Sequence, residues 1–546
     1  MNRFHHFFVL VVFIFEMLSG SKMWVFFSDK NTDINQFIPL SEKAVFRRQK
    51  VNQNYTWYDR QISIEYIQIV RKTGVMIHQN SHWLNAVSIS GTNEQINTIS
   101  ELPFVTKIQP VARFIRKTPD LSAPSFEYKS IAMDTSFYGF AWEQIEQINC
   151  DAAHDAGYSG QGVRVLILDT GFNTDLSVFD SVNIVDEWDF VNNDGNTANE
   201  NNDAGNQHDH GTMVFSAMAG YDPGYLIGPA YGAEFLLAKT EDVTSETIVE
   251  EDNYVAALEW GEQNGADVVS SSLGYLDWYS YCDMDGNTAV TTKAVDIAVN
   301  LGMVCVSAAG NWGTSNPPPE PCDTLYYYIS APADADSVIA VGAVNSEGII
   351  ASFSSHGPTY DGRIKPEVCA RGVSTWCSQP NSNSYRTASG TSLATPLVGG
   401  AAAVILSANP EWTPMQVREA MIMTADKSDI PDNDYGYGII DVMAAIDFVT
   451  SSIDNDDIPD SFSILNAYPN PFNSAITVLL NLDRRSESRL RIYDVNGRLI
   501  KTLLNEFVTP GETKIEFEAT NLPSGLYILQ LRIENTFYSK KITYIK

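Results

Sequence analysis

The chain reads as an α/β protein on a doubly wound, mainly parallel sheet, with an α+β ferredoxin-like unit before it and a β-sandwich after it. Three observations predict this. Between residues 141 and 450, five short apolar runs (163–168, 235–238, 268–272, 303–309 and 338–344) alternate with helical stretches. Runs of that length suit strands covered on both faces, and strand–helix alternation makes their sheet parallel. From residue 462 the pattern becomes short alternating strands, with the turn signal Asn496-Gly497 between two of them. Ahead of both, residues 22–116 mix strands and helices, and their last strand–helix–strand portion is half of a ferredoxin-like unit.

Taken in order, Met1-Asn2-Arg3 precedes an apolar run at 7–18, broken only by Glu16, and the small residues Ser19-Gly20-Ser21. Residues 1–21 are read as a secretory signal, because the run is too short for a membrane anchor. No later apolar run is expected to span a bilayer. In 22–116, strands are expected at 24–27, 75–78, 83–89 and 105–111, and helices at 41–51 and 64–71. A third helix opens on the capping-box pair Thr92 and Gln95. Residues 117–140 lack periodicity and read as a connector. The main unit occupies 141–450, and functional residues of such sheets sit at the C-terminal ends of strands. An acidic linker, 451–461, leads to the terminal unit at 462–546, with strands expected at 476–480, 489–493, 499–503, 514–517, 526–533 and 538–544.

Composition narrows the function. With 546 residues the chain exceeds one ordinary core. Lys+Arg 35 against Asp+Glu 67 gives a net charge of −32, which argues against nucleic-acid partners. It suits an exported soluble protein, in salty surroundings or using Ca²⁺. Six cysteines in such a chain allow up to three disulfides, with pairing open. Cys369 with Cys377 would close a short loop, Cys282 with Cys322 would tie down a Pro-rich one, and Cys305, inside an apolar run, reads as a buried thiol.

Four stretches of the main unit place a polar residue at the end of an apolar element: Asp169-Thr170-Gly171, His210-Gly211-Thr212, Ala309-Gly310-Asn311, and Gly390-Thr391-Ser392 running into small apolar residues. Singly, each has a structural reading: an Asx turn, a helix-start histidine, a turn asparagine, an N-cap serine. Together they are the parts of a serine hydrolase. A serine hydroxyl is a weak nucleophile that needs a histidine to take its proton. That histidine needs a carboxylate, and the oxyanion needs hydrogen-bond donors.

These four motifs, in the order Asp, His, Asn, Ser, resemble the signatures of the subtilisin-like serine peptidases. The resemblance implies a secreted endopeptidase with Ser392 as nucleophile, His210 as base then acid, Asp169 as orienting carboxylate and Asn311 as oxyanion donor. It implies that Ser272, Leu273 and Gly274 pair with substrate backbone as an added strand, and that Ala308, Ala309 and Gly310 line the primary specificity pocket. Tyr275 stands where the family often has glycine and is expected to narrow or cap a subsite. Arg371 replaces a usual proline, which puts local rigidity in doubt unless a Cys369–Cys377 bridge supplies it. No cofactor is required for the chemistry. The Asn/Asp-rich stretch 192–209 is either a solvated loop or a structural Ca²⁺ loop. Residues 22–116 resemble the family's propeptide, an inhibitor of its own enzyme, with the maturation cleavage in 117–140. The segments 468–473, 492–498 and 522–527 resemble the C-terminal sorting domain of type IX secretion substrates, which implies a secretion-machinery partner and a secreted or surface-attached protein. Protein or peptide substrates follow. The competing readings are a non-catalytic binding protein on this scaffold, which predicts a broken triad, and a metallo-hydrolase using His208, Asp209 and His210. His-x-His without further ligand spacing is a weak metal signal.

Overall fold

The computed structural model describes residues 22–30, 37–112, 137–201, 203–243, 251–315, 322 and 327–448. In the tail it describes 463–468, 475–482, 486–494, 499–509, 511–519, 522, 525–533 and 536–544. The signal reading (1–21), most of the connector and the acidic linker lie outside these residues. The chain forms two compact units, 1–448 and 449–546.

The N-terminal part of the first unit runs β1 (Lys22–Phe27), α1 (Glu42–Lys50), α2 (Ile64–Lys72), β2 (Met76–Ser81), β3 (Ala86–Ser90), α3 (Asn93–Ser100) and β4 (Val105–Pro110). Its sheet has the order β2-β3-β1-β4, antiparallel throughout, so the whole ferredoxin-like pattern is present rather than half. Ser41 caps α1, and Thr92 with Gln95 forms the expected capping box of α3. The strand expected at 83–89 begins later, at Ala86, because 82–85 are a turn with Asn85 at φ +52°.

The main unit carries β5 (Arg164–Asp169), β6 (Asn183–Asp189), α4 (Asp209–Ala219), β7 (Glu234–Lys239), α5 (Glu251–Gln263), β8 (Val268–Ser271), α6 (Val290–Asn300), β9 (Val304–Ala308), β10 (Ile339–Val344), β11 (Val368–Arg371), α7 (Thr391–Ala408) and α8 (Pro414–Thr424). Seven of its strands form one parallel sheet, β11-β10-β9-β8-β5-β7-β6. The alternating side chains of the central strands feed two separate apolar clusters. Val165 and Ile167 pack with α4 and α7, while Leu166 and Leu168 pack with α5 and α6. By length and composition α7 could cross a membrane, contrary to expectation, but 89% of it is buried inside the protein, which makes it a core helix.

The N-terminal sheet lies against α5. Trp24, Trp83 and Ala86 join the α5–α6 cluster, whereas Val25 and Phe27 face their own helices. Four buried carboxylates of α5, at 251, 252, 259 and 262, meet this surface. Lys22 Nζ donates to Asp252 (2.8 Å), Trp24 Nε1 to Glu251 (2.9 Å), Ser81 Oγ to Glu259 (2.6 Å) and Arg48 Nε to Glu262 (2.8 Å).

In the second unit, β12 (Ser463–Tyr468), β13 (Ala475–Leu482), β14 (Ser486–Asp494), β15 (Leu499–Val508), β16 (Gly511–Glu518), β17 (Gly525–Ile533) and β18 (Thr536–Tyr544) form two sheets, β12-β13-β16 and β15-β14-β17-β18. Residues of both sheets share one core, among them Val478, Phe517, Ile492 and Leu529.

Candidate active site

β5 delivers Asp169 to its C-terminal end, fully buried. Thr170 N (2.7 Å) and Thr170 Oγ1 (3.2 Å) donate to Asp169 Oδ1, and His210 Nδ1 lies 2.7 Å from the same oxygen. Asp169 Oδ2 has no hydrogen-bond partner among the described residues. An ionised carboxylate accepts only, so His210 carries its proton on Nδ1 and leaves Nε2 free to accept. The glycine after His210 has a steric reason: a Cβ on Gly211 would stand 2.2 Å from Gly171 O and 3.0 Å from Asp169 Cβ. Only glycine lets α4 start against the turn that follows β5. Thr212 Oγ1 completes the junction, donating to His208 O (2.6 Å) and accepting from Asn173 N (2.8 Å).

Ser392 is the second residue of α7 and is almost covered, at 8% exposure. At a helix start it has free backbone N–H groups around it and the positive end of the helix dipole. Asn311 Oδ1 accepts from Thr391 N (2.9 Å) and Thr391 Oγ1 (3.0 Å), which fixes which way the amide faces and leaves Nδ2 on the other side. Gly390, at φ +151°, marks the space between these groups. A Cβ built there would lie 2.8 Å from Ser392 Oγ, 3.5 Å from Asn311 Nδ2 and 3.6 Å from Ser392 N. The hydroxyl of Ser392 and two nitrogens that carry N–H groups are thus gathered around one point, the kinds of group that a developing oxyanion needs beside its nucleophile. The helices of His210 and Ser392 are joined nearby, where Met213, Ala217, Leu393 and Cys377 share a small cluster.

The remaining site candidates are also placed. Ser272 Oγ donates to Ser392 O (2.8 Å). Leu273 and Ala309 are buried in the α5–α6 cluster, and Gly274 and Gly310 follow them in the chain. Ala308 is nearly covered as well.

The geometry sits in a recognisable domain. A family model described as the subtilase family matches residues 160–438, just over half of the chain. The chain belongs to the subtilase family. It is 38% identical over 306 residues to subtilisin DY of Bacillus licheniformis, covering 55% of this chain and 97% of the relative. To subtilisin E of Bacillus subtilis it is 36% identical over 305 residues, covering 55% and 70%. To subtilisin Savinase of Lederbergia lenta it is 31% identical over 302 residues, covering 55% and 97%. Residues 22–123 match the peptidase S8 propeptide domain of Bacteroidota, and residues 466–546 match a secretion system C-terminal sorting domain. This subtilase is therefore a serine-type endopeptidase that carries a propeptide and an export-sorting tail.

Several expectations need correction. Tyr275 does not project into a cleft: it is fully buried, edge-on to Tyr254, with its hydroxyl on Glu241. Cys369 and Cys377 are free and buried, their sulfurs turned to Tyr435 O and Arg386 O respectively. The order at Arg371 comes instead from its own Nε, which donates to Val373 O (2.8 Å), and from Thr375 Oγ1 on its carbonyl (2.8 Å). Cys282 and Cys322 are bonded and Cys305 is a buried thiol, both as expected. His208 Nε2 lies on Asn381 Oδ1 (2.9 Å) and Asn199 N donates to its Nδ1, so it does not share a metal with His210. Within and beside the Asn/Asp-rich stretch, carboxylate oxygens of Asp189, Asp194 and Glu200 lie within 4.8 Å of one another. The Lys239 ammonium already contacts Asp189 and Asp203 there, each at 2.7 Å. Motif reading did not single out Gly390, whose Cβ position lies among Ser392 and Asn311, or Thr391 as the anchor of Asn311, although both lie inside the quoted serine motif.

Proposed function

We propose that this subtilase hydrolyses peptide bonds through an acyl-enzyme. Ser392 Oγ attacks the scissile carbonyl while His210 Nε2 takes the hydroxyl proton, and His210 then gives that proton to the leaving amine. Water, deprotonated by the same histidine, releases the acyl group and restores Ser392. Asp169 holds the imidazole and stabilises its cation. Asn311 Nδ2 and Ser392 N receive the oxyanion. The observation that carries this reading is the point beside Gly390, which has Ser392 Oγ, Asn311 Nδ2 and Ser392 N within 3.6 Å of it. Residues 272–274 pair with substrate backbone, and Ala308, Ala309 and Gly310 wall the pocket for its side chain. Residues 22–116 inhibit the enzyme until cleavage within 117–140, and 462–546 serve as the address read by the export machinery, giving a secreted or surface-attached enzyme. No cofactor enters the chemistry. A structural Ca²⁺ would sit at Asp189, Asp194 and Glu200.

The test is covalent labelling with a fluorophosphonate. One label per wild-type molecule, placed on Ser392 and lost together with peptide hydrolysis in Ser392→Ala, is expected. Hydrolysis that survives in Ser392→Ala refutes the mechanism.

A further inference from the structure

A second hold joins the N-terminal unit to the main unit, away from its sheet. A ferredoxin-like pattern needs one helix between its first two strands, and this chain has two there, α1 and α2. Side chains of α2 fill the core under the N-terminal sheet, whereas none from α1 does. α1 lies instead where β5, β8 and β9 of the main sheet begin. Ser41 N donates to Gln263 O (2.9 Å), and Lys43 Nζ donates to Gly162 O (2.6 Å) and pairs with Asp267 at 3.2 Å. Arg47 goes deepest, at 1% exposure. Its Nη1 donates to Ala266 O (2.6 Å) and its Nε to Leu301 O (3.2 Å), and its Nη2 pairs with the Glu262 carboxylate, which Arg48 Nε shares (2.8 Å). Gly302, at φ +98°, leaves the room: a Cβ there would stand 3.2 Å from Arg47 Cγ. Asp169 closes the other end of β5, about 16 Å along the strand from its first residue.

We infer that the main unit carries a guanidinium socket, made by Glu262, Ala266 O, Leu301 O and the bare Gly302, whose resident ligand is Arg47. Through it the N-terminal unit is retained after the maturation cut, and a free guanidinium ligand competes for it and loosens that unit without entering the active site. The inference rests on the role proposed for 22–116. Every acceptor of the socket belongs to the main unit, so the socket outlasts the departure of α1. Its acceptors are spread around one planar group, which suits the fixed fork of a guanidinium and not the point charge of an ammonium. Emptied, it leaves the Glu262 carboxylate without the buried partner it now has, and an unpaired charge of that kind favours any cation of the right shape. Retention and inhibition are thereby held at opposite ends of the same strands.

The experiment uses the full-length chain, expressed and allowed to cut itself, with docking read by comigration of the two fragments on size exclusion and not by activity. Argininamide is titrated against lysinamide at matched ionic strength. Argininamide is expected to weaken docking by the factor 1 + [L]/Kd, about 10-fold at ten times its own Kd, while lysinamide has less than a third of that effect and hydrolysis by the freed enzyme is unchanged by either. In Arg47→Met, which no longer fills the socket with a guanidinium, argininamide should not weaken docking further. Equal effects of the two amides, no effect of argininamide, or an undiminished response in Arg47→Met overturns the inference. Should Arg47→Met not fold, the comparison of the two amides on the wild type decides. Fragments that comigrate without inhibiting would refute the inhibitory role of 22–116 and leave the socket to the same comparison. A chain that is never cut would refute the maturation reading, and the socket is then judged on the uncut chain: Arg47→Ala should lose Tm and regain it with ethylguanidinium but not with ethylammonium, and no such regain overturns the socket.

Discussion

Asp169 and Glu251 are both fully buried carboxylates, one beneath the reacting groups and the other beneath the N-terminal sheet. Asp169 takes its hydrogen bonds from Thr170 and His210, residues of its own domain. Glu251 accepts from Tyr279 of its own domain (2.7 Å), but also from Trp24, and its neighbours on α5 depend on the N-terminal unit still more. Asp252 meets Lys22 and Ser88, Glu259 meets Ser81 and Trp83 N, and Glu262 meets Arg47 and Arg48. Desolvating such pairs costs nearly as much as their attraction returns unless the geometry is good. If the N-terminal unit leaves, as proposed, α5 would face water with these carboxylates beside the apolar positions that now meet Trp24, Trp83 and Ala86. The difference is one of source. Asp169 is satisfied from within its own domain, while the carboxylates of α5 are satisfied largely from the N-terminal unit, as the proposed release of that unit requires.

Variants that touch one region only should separate the two. The largest effect is expected from Gly390→Ala. Its methyl group would occupy the oxyanion space 2.8 Å from Ser392 Oγ, on a backbone at φ +151° that side chains resist. Losing one oxyanion donor costs about 10²–10³ in kcat, a scale measured in a subtilisin itself, and a loss of that size is expected here in the enzyme freed of its N-terminal unit, with the affinity for that unit unchanged. Steady-state kinetics beside size-exclusion of the complex checks it; near-normal kcat would mean that the oxyanion sits elsewhere. Arg47→Met acts on the other region. Arg47 donates to Ala266 O (2.6 Å) and Leu301 O (3.2 Å) and pairs with Glu262, which keeps Arg48. Breaking a buried pair costs about 3 kcal/mol, so the cleaved N-terminal unit should bind about 100-fold more weakly, read as recovery of activity on dilution. Its kcat after release should match wild type.

The motifs of the site were legible because each polar residue ends an apolar strand or opens an apolar helix, as Asp169 ends β5 and Ser392 opens α7. The five central strands were legible for the same reason. β6 was not, since Asn-Ile-Val-Asp-Glu-Trp-Asp at the sheet edge is largely exposed or half-buried and carries no apolar run. β11 was missed because four residues give no period. Orientation was the other blind spot. Tyr275 was expected at the cleft but turns inward, because a buried Glu241 offers its hydroxyl an acceptor that sequence distance conceals.

A smaller effect should appear in how docking responds to pH. Burial pushes the Glu251 carboxyl up to about 7 while the N-terminal unit covers it, against hydrogen bonds from Tyr279 and Trp24 that favour the ion. On release it returns toward the ordinary carboxylate value. Between about 4.5 and 7 the docked state therefore holds the extra proton. Docking is strongest below that window and weakens as pH rises through it, by up to about 10-fold per unit, with no further contribution from this group above it. Glu251→Gln keeps an acceptor for Trp24 and cannot titrate, so its affinity profile should be flatter across the window. A profile as steep as wild type would assign the response to other groups of the interface.

The smallest effect is expected at the acidic cluster, and it bears on the source of the partners once more. Asp189 Oδ1 accepts Val191 N (2.7 Å) and Asn192 N (2.9 Å), its Oδ2 contacts Lys239, and Asn192 Nδ2 donates to Glu200 (2.8 Å). Much of the charge a Ca²⁺ would neutralise is thus already matched by an ammonium and by amide donors from the same domain. Chelation should lower Tm by no more than about 2 °C, the shift of less than about 1 kcal/mol in a domain of this size, with activity unchanged below the transition. A fall of about 8 °C or more, reversed by added Ca²⁺, would show that this loop depends on an ion and that Lys239 alone does not hold it.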